Sequence, residues 1–157
     1  MAKIEITDLQ DHVCLDKKLL LQVIRHAIKV EGRSAKSLSI VLTDNRHLQE
    51  LNREYLCRDA ITDVISFPLE DPDWPGGAVN GGLNGEIVAS AEQARQQAQA
   101  TNTDPQGELL LYLVHGLLHL MGYDDRTPQE AKRMHAREDA LLEAFGFGRV
   151  YAGRPVS

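Results

Sequence analysis

Residues 104–125 read DPQGELLLYLVHGLLHLMGYDD and contain the longest apolar run of the chain. Asp104 followed by Pro105 predicts a helix start, because the aspartate accepts free N–H groups and proline is tolerated in the first turn. The residues that follow are almost wholly apolar, which predicts a helix buried on most of its sides. Gly122 predicts the end of this helix, because glycine readily adopts the left-handed conformation found there.

On either side of this helix, hydrophobic periodicity predicts an α+β domain. Apolar, β-branched runs predict strands, and apolar residues at helical spacing predict helices. The predicted strands are 3–7, 38–42, 62–69 and 85–90, and the predicted helices are 15–30, 45–55, 91–100, 105–121 and 128–145. We expect one domain over residues 1–157, with a mixed sheet of about four strands, about five helices and a loosely ordered tail at 147–157.

Capping and breaking residues refine these boundaries. Asp44 or Asn45 is suited to cap the second helix, and Thr127 with Glu130 forms a capping box for the last one. Pro68 is expected to end the third strand or to place it at a sheet edge. Residues 71–84 contain two prolines and four glycines, which predicts a mobile loop, a hairpin connection or a lid.

The composition narrows the class of protein. Hydrophobic residues make up 43% and charged residues 25% of the 157 residues, which suffices for a folded core. The first residues lack the pattern of a signal peptide, and no apolar run has the length of a membrane span. Cys14 and Cys57 are the only cysteines, which excludes a disulfide scaffold and fits a reducing compartment. We expect a cytoplasmic protein with no membrane partner.

The net charge of −6 argues against unspecific coating of nucleic acid, but the charge is uneven. Residues 17–36 contain six basic side chains and one acidic side chain. Lys18, Arg25 and Lys29 share one face of the predicted first helix. This face is either the solvated side of an amphipathic helix or a strip that binds the RNA backbone.

A metal-binding pattern lies at the end of the apolar helix. His115 and His119 are one turn apart on the same face, so two imidazoles can converge on one ion. Asp125 follows the glycine turn at the spacing at which metzincin zinc sites carry their third histidine. We predict a zinc site formed by His115, His119 and Asp125, with Asp124 as a candidate to orient a histidine. His135 is interpreted as a surface or half-buried histidine of the following helix rather than as a ligand.

The residue after the first histidine limits the chemistry. Zinc proteases with the HExxH motif carry their general base there, whereas this chain has Gly116. Metallopeptidase chemistry is therefore disfavoured. An aspartate ligand lowers the formal charge of the site relative to three histidines, which makes a zinc-bound water less acidic and leaves other divalent metals open.

Several blocks together resemble one known family. The blocks LNREY at 51–55, TDVISFP at 62–68, GEIV at 85–88 and HGLLHLMGYDD at 115–125 are similar in order and spacing to those of the bacterial YbeY family. The resemblance implies a zincin-like fold, a single metal usually taken as zinc, and hydrolysis of single-stranded RNA. It also implies a role in 16S rRNA 3′-end maturation and ribosome quality control. The implied partners are the 16S rRNA precursor and the small ribosomal subunit, not DNA.

Two positions depart from the family pattern. His115 and His119 carry over as ligands, but Asp125 stands where the family has a third histidine. Leu56 stands where many members have an arginine implicated in cleavage. Arg58 is a candidate to replace that arginine, because a guanidinium stabilises the charge that develops on a phosphate.

The leading hypothesis is a metal-dependent endoribonuclease. The main alternative is a ribosome-associated maturation factor with a structural metal and no nuclease activity of its own, which Gly116 and Leu56 favour. A peptidase on the same scaffold is disfavoured by Gly116. A non-haem iron oxygenase, which also uses two histidines and a carboxylate, fits the helical spacing least well.

Overall fold

The computed structural model describes residues 3–56, 62–68, 78–79 and 82–147, and all the predicted helices and strands are present. In chain order the elements are β1 (Lys3–Asp8), α1 (Lys17–Val30), β2 (Ser34–Thr43), α2 (Asn45–Leu56), β3 (Val64–Pro68), β4 (Ala78–Val79), β5 (Gly82–Ser90), α3 (Ala91–Thr101), α4 (Pro105–Leu120) and α5 (Pro128–Glu143). The fold is α+β, as predicted. No helix in these ranges combines the length and apolar content required to span a membrane.

The sheet is mixed and has four principal strands in the order β1-β2-β5-β3. Strands β1, β2 and β5 run parallel, and β3 is antiparallel to β5. The short β4 also pairs with β5, through Ala78 opposite Leu83. Strand β3 lies at the end of the strand order and ends at Pro68, which fits the lack of a donor N–H in proline.

Strand β5 begins earlier than predicted. Its first residues, Gly82–Asn84, fall inside the segment 71–84 that the sequence predicts as a loop. Gly82 pairs with Ser34 of β2 and with Val79 of β4, so hydrogen bonding on two sides overrides the local preference of glycine for turns. Strands β4 and β5 are therefore antiparallel partners in the sheet. Residues 71–77, 80 and 81 lie outside the described part of the chain.

Helix α4 is the centre of the hydrophobic core, as its composition predicts. It contacts α1, α3 and α5 as well as β3 and β5. Its side chains are buried from Leu109 to Val114 and again at Leu117 and Leu118. Helix α2 belongs to a second, smaller cluster, in which Leu48 packs against Ile65 and Val88. Since neighbouring residues of a strand face opposite sides of a sheet, α2 covers the face opposite to α4.

The predicted caps are confirmed. Asp104 accepts a hydrogen bond from the N–H of Gln106 at 2.9 Å, and Thr127 accepts one from Glu130 at 3.1 Å. Asp44, rather than Asn45, caps α2 through the N–H of His47 at 2.9 Å.

At the far end of the chain, Phe147 packs against the core, unlike the loose tail predicted from this residue onward. The rest of that tail, 148–157, lies outside the described residues.

Gly116 allows α4 to approach the sheet closely. A Cβ atom at this position would lie 2.9 Å from Cγ2 of Ile87 and 3.2 Å from Cγ2 of Val64. The position that carries the general base in HExxH enzymes is therefore turned toward the packed sheet in this protein. Gly116 permits this close packing, and a glutamate side chain at this position would clash with Ile87 and Val64.

We predict that Gly116→Ala lowers the free energy of unfolding by about 1–2 kcal/mol, because the added methyl group displaces Ile87 or Val64. Helix propensity alone favours alanine by about 1 kcal/mol, so a net loss identifies packing as the dominant effect. Urea denaturation followed by circular dichroism measures the change. Ala140→Ser, at an exposed position of α5, is the control and is expected to change stability by less than about 0.5 kcal/mol. Equal or higher stability of Gly116→Ala would contradict the close approach.

Candidate metal centre

The three predicted ligands come together at the end of α4. The Nε2 atoms of His115 and His119 are 3.1 Å apart. The Oδ2 atom of Asp125 lies 3.7 Å from the first and 3.8 Å from the second. A point equidistant from these three atoms lies about 2.1 Å from each, which is the usual distance from zinc to imidazole nitrogen or carboxylate oxygen. The three side chains therefore form a group that can hold a metal ion.

The group is open to solvent on one side. The side chains of His115 and His119 are 20% and 29% exposed, and that of Asp125 is 41% exposed. The two histidines project from a buried helix, whereas the aspartate lies on the turn that follows it. Such a set of three ligands leaves a coordination position for water or substrate, as catalytic zinc sites do.

The end of α4 positions His119. Gly122, with φ of 101°, donates its N–H to the carbonyl of His119, and Tyr123 donates its N–H to that of Leu118. This pair of hydrogen bonds is the Schellman motif, which reverses the chain direction. The carbonyl of Tyr123 then accepts a hydrogen bond from Nδ1 of His119 at 3.0 Å. With Nδ1 protonated, the lone pair of Nε2 faces the metal position.

A buried carboxylate positions His115. Nδ1 of His115 donates to Oε2 of Glu138 in α5 at 2.5 Å, and the Glu138 side chain is 1% exposed. The other oxygen of Glu138 accepts a hydrogen bond from Nδ1 of His135 at 2.7 Å. A carboxylate behind a ligating histidine fixes its tautomer and makes it a stronger ligand. Both candidate ligand nitrogens are therefore oriented before any metal binds.

In the described contacts, Glu138 and the carbonyl of Tyr123 orient the histidines, and Asp124 and His135 have other contacts. Asp124 does not take the orienting role predicted for it among the described contacts. It accepts the N–H of Asp125 at 2.8 Å and pairs with Arg126 at 3.1 Å, which shapes the turn. His135 is half-buried in α5, as predicted, but it also binds Glu138 and stacks with His115 at a centroid distance of 5.9 Å. The sequence could have indicated Glu138, because it falls on the same face of α5 as the apolar residues Met134 and Leu141, where a charged residue is unexpected.

A second combination of side chains, His115, His135 and Glu138, also has the spacing of a metal site. These three residues line a cavity of about 60 Å³ that includes Asp63 and Val64. An ion there would displace the hydrogen bonds that orient His115. The His115, His119 and Asp125 group is favoured, because it uses nitrogen lone pairs that these hydrogen bonds leave free.

The surroundings raise the pKa of His115 above 6.5. Burial acts in the opposite direction and favours the neutral ring. The hydrogen bond and negative charge of Glu138, followed by the charges of Asp63 and Asp125, outweigh burial. Without a metal, His115 is therefore protonated to a higher pH than an ordinary histidine. A divalent cation would take the place of that proton.

Of the other predicted site residues, three lie on α1 and one lies outside the described part of the chain. Lys18, Arg25 and Lys29 are exposed on α1, and Lys29 lies in its last turn. Arg58 falls in the segment 57–61, outside the described residues, so its predicted role is not tested. Sequence reasoning missed Glu138. It also missed Glu31, which binds Tyr123, and Arg137, which binds Glu31.

We predict that Glu138→Gln weakens zinc binding by roughly 10–100-fold, because an amide has one acceptor oxygen for two imidazole donors. If the amide N–H₂ faces His115, the ring must take the tautomer that has no lone pair on Nε2. Competition with a chromophoric chelator measures the affinity. Glu143→Gln, exposed on the same helix, is the control. Equal affinities for Glu138→Gln and the wild type would show that Glu138 does not support the site.

We also predict a pH dependence of zinc affinity in the metal-free protein. Zinc and a proton compete for Nε2 of His115, and the raised pKa of this histidine places the competition above pH 6.5. The affinity should therefore increase as the pH rises through that window and then level off. Calorimetric titrations between about pH 6 and 9, corrected for buffer protonation, follow this change. An affinity that is constant across the window would contradict the raised pKa.

Comparison with known proteins identifies the family of this chain. The family model described as endoribonuclease YbeY matches residues 5–146. The endoribonuclease YbeY of Salinibacter ruber is 40% identical over 131 residues, covering 83% of each chain. That of Carboxydothermus hydrogenoformans is 39% identical over 148 residues, covering 92% of this chain and 99% of the relative. The solution structure of TM1509 from Thermotoga maritima superposes with a TM-score of 0.60 and 26% identity, covering 89% of this chain and 87% of that one. The chain belongs to the endoribonuclease YbeY family.

Proposed function

We propose that this protein is a metal-dependent endoribonuclease that cleaves phosphodiester bonds in single-stranded RNA, with zinc as its metal. The observation that carries the proposal is the convergence of His115, His119 and Asp125, in a chain whose relatives are named endoribonuclease YbeY. The proposed substrate is the 16S rRNA precursor at its 3′ end, and the proposed setting is the small ribosomal subunit in the cytoplasm. The proposed substrate, the ribosomal setting and the cytoplasmic location rest on the family resemblance.

The site residues have distinct roles in this mechanism. When bound, the ion supplies Lewis-acid chemistry, polarising a phosphate oxygen and lowering the pKa of a bound water. Glu138 and the carbonyl of Tyr123 keep the two histidines in the tautomer that binds a metal. Asp125 offsets part of the ionic charge at the exposed edge. Gly116 supplies no general base. The attacking group is either water, which gives 5′-phosphate products, or the 2′-hydroxyl of the RNA, which gives a cyclic phosphate.

The exposed basic face of α1 is the proposed contact with the RNA backbone. Lys18, Arg25 and Lys29 are solvent-exposed on this helix. Phosphate contacts of this kind add affinity without reading sequence. Arg58 is proposed to stabilise the charge of the scissile phosphate, and Asp124 to support catalysis indirectly by shaping the turn before Asp125.

The alternative of a maturation factor with a structural metal is less well supported. Structural zinc sites usually have four protein ligands and are closed to solvent. Here the favoured group has three ligands, and Asp125 is 41% exposed. The geometry favours a site with an accessible coordination position.

The decisive experiment measures metal content and RNA cleavage on the same chelator-free preparation. We expect one equivalent of zinc by mass spectrometry and cleavage of a single-stranded RNA, and we expect His119→Ala to lose both. His12→Ala, in the segment between β1 and α1, is the control and should retain both. Metal without cleavage in the wild type would favour the maturation factor. No metal in the wild type would overturn the assignment of the ligands.

Substitutions at Asp125 test whether this residue is the third ligand. Asp125→Ala should lose metal, whereas Asp125→His, which restores the family residue, should retain it. With three neutral ligands the site has a higher positive charge, so the pH profile of cleavage should move to lower pH in Asp125→His. If Asp125→Ala retains metal and cleavage, another residue is the third ligand.

A further inference from the structure

The turn that carries Asp125 is held from outside by the end of α1. We call residues 121–125 the ligand turn. Glu31 and Arg33 flank Gly32, whose φ is 67°, in the connection from α1 to β2. Arg33 Nη1 donates to the carbonyl of Met121 at 3.1 Å. The hydroxyl of Tyr123 donates to Oε2 of Glu31 at 2.9 Å. Two residues of the ligand turn are therefore bound to one short segment that is distant in sequence.

Glu31 is itself firmly held. Its other oxygen, Oε1, lies 2.8 Å from Nε and 2.6 Å from Nη2 of Arg137 in α5. The Glu31 side chain is only 12% exposed, so solvent screens this pair less than a surface ion pair. Burial and the hydrogen bond to Glu31 raise the pKa of Tyr123, which keeps its hydroxyl protonated as a donor. Arg137 is also the residue before Glu138, so α5 supports both histidines.

Tyr123 connects this cluster to the metal centre through its own backbone. Its side chain is bound to Glu31, while its carbonyl accepts the hydrogen bond from Nδ1 of His119. Gly122 precedes it in a left-handed conformation and gives the turn freedom of rotation when nothing restrains it. One residue thus joins Glu31, through its hydroxyl, to His119, through its carbonyl.

We propose that Glu31 is a positioning residue of the metal centre, acting through the hydroxyl of Tyr123 on the carbonyl that orients His119. This inference rests on the proposed function, because it requires a metal at His115, His119 and Asp125. If the hydrogen bond between Tyr123 and Glu31 had only a structural role, its loss would lower the stability of the metal-free protein and leave its affinity for metal unchanged. If it has a positioning role, its loss lowers the affinity for metal even in a fully folded protein.

The test uses Co²⁺ as a spectroscopic probe in the full chain. Tyr123→Phe removes one oxygen atom and keeps the ring and the backbone. We expect roughly tenfold weaker Co²⁺ binding and an altered ligand-field absorption spectrum at a temperature at which the variant is folded. Glu31→Ala should have the same effect, and Glu31→Gln a smaller one, because an amide can bond to both Arg137 and Tyr123. Glu50→Ala, which breaks an exposed ion pair with Arg46 on α2, is the control.

A double-mutant cycle separates the effect of the hydrogen bond between Tyr123 and Glu31 from other effects of Glu31. If the two residues act as one unit, Glu31→Ala with Tyr123→Phe should bind Co²⁺ no more weakly than Glu31→Ala alone. Wild-type affinity and spectrum in Tyr123→Phe, with a lower melting temperature, would overturn the positioning role and leave the metal centre intact. Absence of Co²⁺ binding by the wild type would overturn the proposed metal centre and this inference together.

Discussion

The hydrogen bond between the buried Glu138 carboxylate and Nδ1 of His115 is the interaction on which the candidate site depends. A carboxylate that is 1% exposed is unfavourable unless its oxygens are bound to donors, and here two imidazoles supply them. The same hydrogen bond decides which nitrogen of His115 faces the metal position. One contact thus links α5 to the tautomer of a candidate ligand, so a change at Glu138 affects both.

Helix α4 carries out two functions on adjoining faces. The face with Gly116 lies so close to Ile87 and Val64 that a Cβ atom has no space, which fixes the helix against the sheet. The histidines are displayed at the edge of this contact and are only partly exposed. A helix immobilised in this way holds its ligands in place without rearrangement on metal binding, and preorganisation of this kind favours both affinity and catalysis. The general base of HExxH enzymes is absent because the packing occupies its position.

The ligand turn lies where three parts of the protein meet: the end of α4, the connection after α1, and α5. Its own backbone forms the Schellman motif, but hydrogen bonds from Arg33 and to Glu31 attach it to the rest of the fold. The third ligand, Asp125, is at the more exposed end of this turn. The site therefore combines two rigid nitrogen ligands with one accessible oxygen ligand, an arrangement that suits binding of an external substrate.

The sequence by itself determined the helices and strands, the caps and the approach of His115, His119 and Asp125, because these depend on residues within a few positions of one another. Glu138 acts on His115 over 23 residues, and Glu31 acts on Tyr123 over 92 residues. No local pattern relates such residues, so only the packing of α1 and α5 around α4 brought them to the site. The early start of β5 has the same cause, since Gly82 is extended by its partners in β2 and β4. The candidate ligands could therefore be predicted from their spacing in the sequence, whereas the hydrogen bonds that orient them depend on tertiary packing.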